Sequence, residues 1–280
     1  MTLVGLTVFA VLGGVVLYFV ARGGPRPFGL PVQPGCTVRS GDQNVSLDLT
    51  QMANAATVTA VGVSKKVPAK AVVVALATAL QESKLENLDG GDRDSVGLFQ
   101  QRPSQGWGTP EQLQDQRYSA RKFYTALLKV KGWQKLRVTE AAQKVQRSAY
   151  PEAYQKWADE AEVMADALLG KVSAAVSCTL PDGDGELRGQ EAVAALTNTM
   201  RLDYGSGLVT QADPAQNSVQ VSAADGANGW TYAHWLVSRA ADSGVSRVTF
   251  AGRQWTAASG DWQPVATSDA SKVVAEVTGI

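Results

Sequence analysis

The chain has 280 residues, 45% hydrophobic and 19% charged, and its 26 Lys and Arg balance 26 Asp and Glu. This composition excludes a disordered chain, and the zero net charge excludes a strongly basic nucleic-acid binder. A single histidine, His234, excludes a multi-histidine metal site, and two cysteines, Cys36 and Cys178, exclude a zinc ribbon or a disulfide-dense mini-fold.

The balance of charge hides a gradient. Residues 1–35 carry two Arg and no acid, residues 36–180 carry 18 bases and 15 acids, and residues 181–280 carry 6 bases and 11 acids. Two compositions after residue 35 predict two folded units, 36–180 and 187–280, joined by a Pro/Asp/Gly linker over 181–186.

Residues 1–21 contain no charge, and the 18 residues 3–20 form an apolar run that would reach about 27 Å as a helix. A transmembrane anchor is expected, in preference to a cleaved signal peptide, because no basic residue opens the chain. Four prolines and four glycines within residues 22–35 predict an extended tether. Arg22 and Arg26 favour a cytoplasmic position for the chain beyond the span. Cys36 and Cys178 favour the opposite: as a disulfide bracketing the middle unit they require an oxidising compartment, whereas as two buried thiols they do not. The expectation is a cell-membrane protein with one span and both folded units on the extracytoplasmic side.

Between the cysteines, residues 49–63, 69–85, 109–131, 139–146 and 152–169 show helical patterns, and no run alternating with period two is evident. The middle unit is therefore expected to be all-α. Residues 72–80 are apolar almost all round, the mark of a buried helix. Thr109-Pro110 with Gln112 is a strong helix start. Glu82 comes directly after the buried helix. Desolvation and the negative end of the helix dipole both raise a carboxyl pKa there, as a general acid working near neutral pH requires; a surface Glu in a fraying last turn is the plainer alternative.

A polar loop comes next, with Asp89, Asp92 and Asp94, and then a segment with Gln100, Gln101, Arg102, Gln105 and Trp107 between glycines. Amides and a guanidinium suit hydroxyl and acetamido groups, and an indole suits a sugar face. The three aspartates are either loop-capping groups paired with Arg93 or Arg102, or the source of a second carboxylate that activates water.

Glu82-Ser83, Gly97-Leu98-Phe99-Gln100 and Ala149-Tyr150, in that order, resemble the motif series of goose-type lysozymes and soluble lytic transglycosylases: Glu-Ser, Gly-Leu-Met/Phe-Gln and Ala-Tyr-Asn. The likeness covers about residues 45–170. It is closer still to bacterial membrane-anchored proteins of unassigned role carrying the segment 91–108. The resemblance implies an all-α lysozyme-like fold and peptidoglycan glycan strands as substrate, without metal or organic cofactor. It implies Glu82 as general acid and then base, Ser83 as an orienting group, Gln100 lining the groove and Tyr150 beside Glu82. Pro151 stands where the family has Asn, which favours a second possibility, a cell-wall scaffold that binds glycan without turnover.

In the last unit a helix over 187–202, strands over 219–222 and 246–251 and an amphipathic helix over 230–241 predict a small α+β domain. The stretch 229–255 weakly resembles a domain found beside cell-wall enzymes and related to zinc peptidoglycan peptidases. With His234 alone no three-ligand zinc site can be assembled, so a degenerate, non-catalytic relative is expected, His234 being structural or on the surface.

Overall fold

The structure, a computed structural model, describes residues 33–181, 187–266 and 269–279. The expected anchor over 1–21, nearly all of the tether and most of the linker lie outside these. Among the described residues no helix is long and apolar enough to cross a membrane. Gly35, expected as the end of the tether, opens the first strand.

The expectation of an all-α middle unit is overturned. Strands β1 (Gly35–Ser40) and β2 (Gln43–Leu47) form a hairpin, and β3 (Val176–Thr179) pairs with β1 on its other side, giving a three-stranded antiparallel sheet. Alternation is present but brief. Cys36 and Val38 point inward on β1 and Val45 and Leu47 on β2, with polar residues between them. Two apolar positions per strand are too few to stand out in a window scan. Cys36 faces Cys178 across β1 and β3, and the two form a disulfide. It ties residues 142 positions apart, which constrains the unfolded chain by about 4–5 kcal/mol in the chain-entropy model.

The next helices in the chain are α1 (Leu49–Ser64), α2 (Ala69–Ser83), α3 (Pro110–Gln114), α4 (Gln116–Lys129), α5 (Val138–Gln146) and α6 (Ala158–Leu168). The start at Thr109 forms a reciprocal capping box with Gln112. The long helix expected from there is broken at Asp115, whose carboxylate accepts from the amides of Arg117 and Tyr118 and caps α4 instead. Helix α2 is buried from Ala71 to Leu80 apart from Val73, in keeping with its apolar run.

Beyond residue 186, α7 (Gly189–Tyr204), α8 (Gly226–Ser238) and the short α9 (Ala240–Ser243) pack on a six-stranded antiparallel sheet. Its strands are β4 (Thr210–Asp213), β5 (Ser218–Ser222), β6 (Val245–Phe250), β7 (Arg253–Thr256), β8 (Trp262–Pro264) and β9 (Lys272–Val277), in the order β4-β5-β9-β6-β7-β8. The whole is thus a mixed α and β structure with two antiparallel sheets.

The two halves share one core, and residues 34 to 280 form one compact unit. Helix α1 is the seam. It packs on α2 and α4 at one side and on α7 and α8 at the other, so it is buried from Met52 to Gly62. Its alanines let four helices approach closely. Asp203 of α7, fully buried, reaches across this seam. It accepts from Arg117 Nε at 2.5 Å, Thr57 Oγ1 at 3.2 Å and, from its own half, Trp235 Nε1 at 2.8 Å.

His234 of α8 is a second bond between the halves. Its Nδ1 donates to the Ala167 carbonyl at 2.7 Å and its Nε2 accepts the Ala175 amide at 2.9 Å, which fixes the neutral tautomer. Burial lowers its pKa to about 4, against a smaller opposing effect of the Ala167 bond. The unfolded chain takes up a proton at 6.5 that the native state refuses until about 4. Stability is therefore complete above pH 6.5 and falls by about 3 kcal/mol as pH drops to 4. As the chain has one histidine, a single imidazole resonance should titrate near pH 4 in the folded protein; a midpoint near 6.5 would contradict this arrangement.

Candidate functional site

The site forms where the C-terminal end of α2 meets the turn at 96–101 and the segment after α5. Helix α2 ends at Ser83, and Lys84 and Leu85 turn the chain away in left-handed conformation. Glu82 is thereby held in the last turn, half-buried. The Ser83 hydroxyl points inward and donates to the Leu98 carbonyl at 2.7 Å, pinning the helix end to the turn.

The Gly97-Leu98-Phe99-Gln100 segment is a tight turn closed by reciprocal backbone bonds between Val96 and Gln101. Leu98 and Phe99 are fully buried, and Phe99 stacks on Phe123. Gly97 has φ +76°, and a Cβ there would collide with the Leu113 carbonyl oxygen, so only glycine suits the position. The turn presents two carbonyls to the site: Leu98 to Ser83, and Phe99 to the Gln146 amide at 2.7 Å.

Glu82 Oε1 accepts two hydrogen bonds, from the Tyr154 hydroxyl at 2.6 Å and from Gln146 Nε2 at 3.2 Å. Among the described residues Oε2 accepts none, and the residue is only half-buried. Desolvation raises the pKa of Glu82 above its ordinary value, and the Tyr154 and Gln146 bonds oppose the rise without cancelling it. Burial raises the pKa of Tyr154 far beyond its usual range, and the neighbouring carboxylate adds to this, so the phenol remains a donor. One oxygen of the carboxyl is thus fixed by two donors, and the other accepts no hydrogen bond among the described residues.

No protein-family model matches the chain, and no curated protein matches it.

The residues singled out from the sequence do not all meet at the site. Glu82 and Ser83 meet at the site. Gln100 is half-buried and donates to Gly97 of its own turn at 3.1 Å. Gln101 is buried and donates to the Ser119 carbonyl, facing the interior and not a groove. Arg102 pairs with Asp94 at 2.8 Å, and Asp94 also accepts the Ser104 amide at 2.7 Å. These bonds hold Asp94 below the usual carboxylate range and make it a loop clamp. Asp89 and Asp92 are exposed. Gln105 is exposed, and Trp107 is half-buried against the core.

Tyr150 does not hold the place expected for it. It is 75% exposed, whereas Tyr154, fully buried, bonds Glu82. Sequence reasoning missed both Tyr154 and Gln146. One signal was present: the pair Ala-Tyr occurs again at Ala153-Tyr154, and the residue after it is Gln155, an amide like the Asn of the motif. Among the described residues Pro151 makes no hydrogen bond with Glu82 that would match the Asn of the motif; its carbonyl accepts the Thr139 hydroxyl at 2.5 Å. Among the described residues no three of His, Cys, Asp and Glu are grouped to hold a metal ion.

Proposed function

We propose that the protein cleaves β-1,4 glycosidic bonds of peptidoglycan glycan strands, with Glu82 as the single general acid and base. The observation that carries this is the Glu82 carboxyl, desolvated, fixed through Oε1 by Tyr154 and Gln146, with Oε2 accepting no hydrogen bond among the described residues. The order of the Glu-Ser, Gly-Leu-Phe-Gln and Ala-Tyr motifs, shared in sequence with lysozymes and lytic transglycosylases, supports the same substrate.

Protonated Glu82 gives its proton from Oε2 to the glycosidic oxygen as the C1–O bond breaks, leaving an oxocarbenium-like sugar and a carboxylate. Tyr154 and Gln146 stabilise that carboxylate by donating to Oε1, so the acid is held in place and its conjugate base is not left unsolvated. The carboxylate then takes a proton from the oxygen that attacks C1. If that oxygen is the muramyl 6-hydroxyl, the product is a 1,6-anhydro sugar; if it is water, the product has a reducing end. The Cys36–Cys178 disulfide supports a working place outside the cytoplasm.

The test is release of muropeptides from purified peptidoglycan by the full chain, with the new sugar end identified chromatographically. No release under any pH between 4 and 8 contradicts the proposal. Removing a donor that lowers the Glu82 pKa raises it further. Tyr154→Phe should therefore slow release about tenfold or more and shift the alkaline limb of the pH profile upward. Tyr150→Phe should leave both within about twofold. The reverse ranking would restore Tyr150 to the site.

A further inference from the structure

The second site lies at the far end of α6. Trp157, just before α6, donates to Gln81 next to the catalytic glutamate, whereas Ala167 near its C-terminus bonds His234. Helix α6, eleven residues and about 16 Å long, runs between these two contacts. Here the two sheets meet around a cavity of about 330 Å³, lined among others by Arg39 of β1, Ser177 of β3, Arg253 of β7, and Asp261, Trp262 and Gln263 at β8.

The walls are built before any ligand arrives. The disulfide locks β1 to β3. Trp262 donates its indole N–H to the Val176 carbonyl at 2.7 Å, which fastens β8 to β3. Gly260, at φ +72°, lets the approach to β8 run so close that a Cβ would lie 2.8 Å from Thr179 Oγ1 and 3.3 Å from the Cys178 carbonyl. Such preorganisation lowers the ordering cost of binding.

The lining states the chemistry. Arg39 and Arg253 come from different halves of the chain, are exposed, and enter no ion pair among the described residues. Two guanidinium groups beside one cavity match the planar oxygens of a carboxylate. Asp261 in the same wall opposes a phosphate dianion and matches a cationic or N–H group set apart from that carboxylate. Ser177 and Gln263 suit amide groups. The volume lies at the small end of ligand cavities, about 300–1,000 Å³, and suits an end group rather than a long segment. We propose that this cavity binds the free C-terminal carboxylate end of a short peptide. The proposal does not rest on the glycosidase reading.

The test is calorimetric titration of the full chain with alanyl-alanine, its C-terminal amide and inorganic phosphate. Alanyl-alanine should bind saturably, and the amide at least about tenfold more weakly. Arg39→Gln and Arg253→Gln should each weaken alanyl-alanine about tenfold or more, with melting temperature and muropeptide release unchanged. Glu82→Gln should bind it with wild-type affinity, so the two sites are read separately. Absence of binding, equal affinity for peptide and amide, tighter binding of phosphate than of peptide, or insensitivity to both arginine substitutions would overturn the proposal.

Discussion

Glu82→Gln is expected to reduce muropeptide release by about 10²–10⁴-fold, the share of rate that a positioned general acid supplies. The amide fills the same volume and still offers an oxygen to Tyr154 and Gln146, so the fold and these two bonds are kept and only the proton is lost. Stability should move the other way. Glu82 has a native pKa raised by desolvation, so between its ordinary value of 4.5 and the raised one the native state holds a proton that the unfolded chain has released. Stability therefore falls as pH rises through that window and stays lowered above it. The Gln variant escapes this loss. It should melt higher than the parent at pH 7 and match it at pH 4, each kcal/mol appearing as about 2–4 °C. Equal release by the two proteins would remove Glu82 from the mechanism, and a lower melting temperature at pH 7 would show that its carboxylate is not strained by burial.

The largest loss of stability is expected from Asp203→Ala. The carboxylate is fully buried and accepts three hydrogen bonds from Arg117, Thr57 and Trp235. Its removal leaves the largely buried Arg117 guanidinium unpaired and orphans the Trp235 indole N–H. Breaking one side of such a pair costs about 3–5 kcal/mol, or about 6–20 °C in melting temperature. Because the network joins α4 and α1 to α7 and α8, both halves should still unfold together, in one transition. Urea denaturation followed by tryptophan fluorescence reads both quantities. A loss under about 1 kcal/mol would mean that the Asp203 network adds little to the seam.

The sequence revealed the helices better than anything else, because an apolar face repeated over ten or more residues is a strong signal. The starts and lengths of α1 and α2 and the box at Thr109 are legible in it. The break at Asp115 is not, since a side chain that competes for two backbone amides acts within three residues and leaves the longer pattern intact. Strands β1, β2 and β3 were missed because each buries only two or three side chains and the sheet is completed by a strand some 130 residues away. Of the site, Glu82 was legible from its place at the end of an apolar helix. Tyr154 was not: its contact with Glu82 spans 72 residues, and an identical Ala-Tyr pair four residues earlier drew attention to Tyr150. The same limit applies to Asp203 with Arg117, 86 residues apart. Patterns along a chain report which face of an element is buried, and they do not report which polar groups meet across the core. His234 shows the complement: its isolation in mid-helix excluded a metal site, but only the fold shows that both ring nitrogens bridge to the other half.

The decisive measurement is a titration of the Glu82 side-chain carboxyl by ¹³C NMR in the full chain, assigned by its absence in Glu82→Gln and repeated with a chitin oligomer. The midpoint should lie above 4.5 in the free protein and change when the sugar binds. A midpoint at or below 4.5, indifferent to the oligomer, would mean that the carboxyl is an ordinary surface anion and that this end of α2 is not where a glycan is cut.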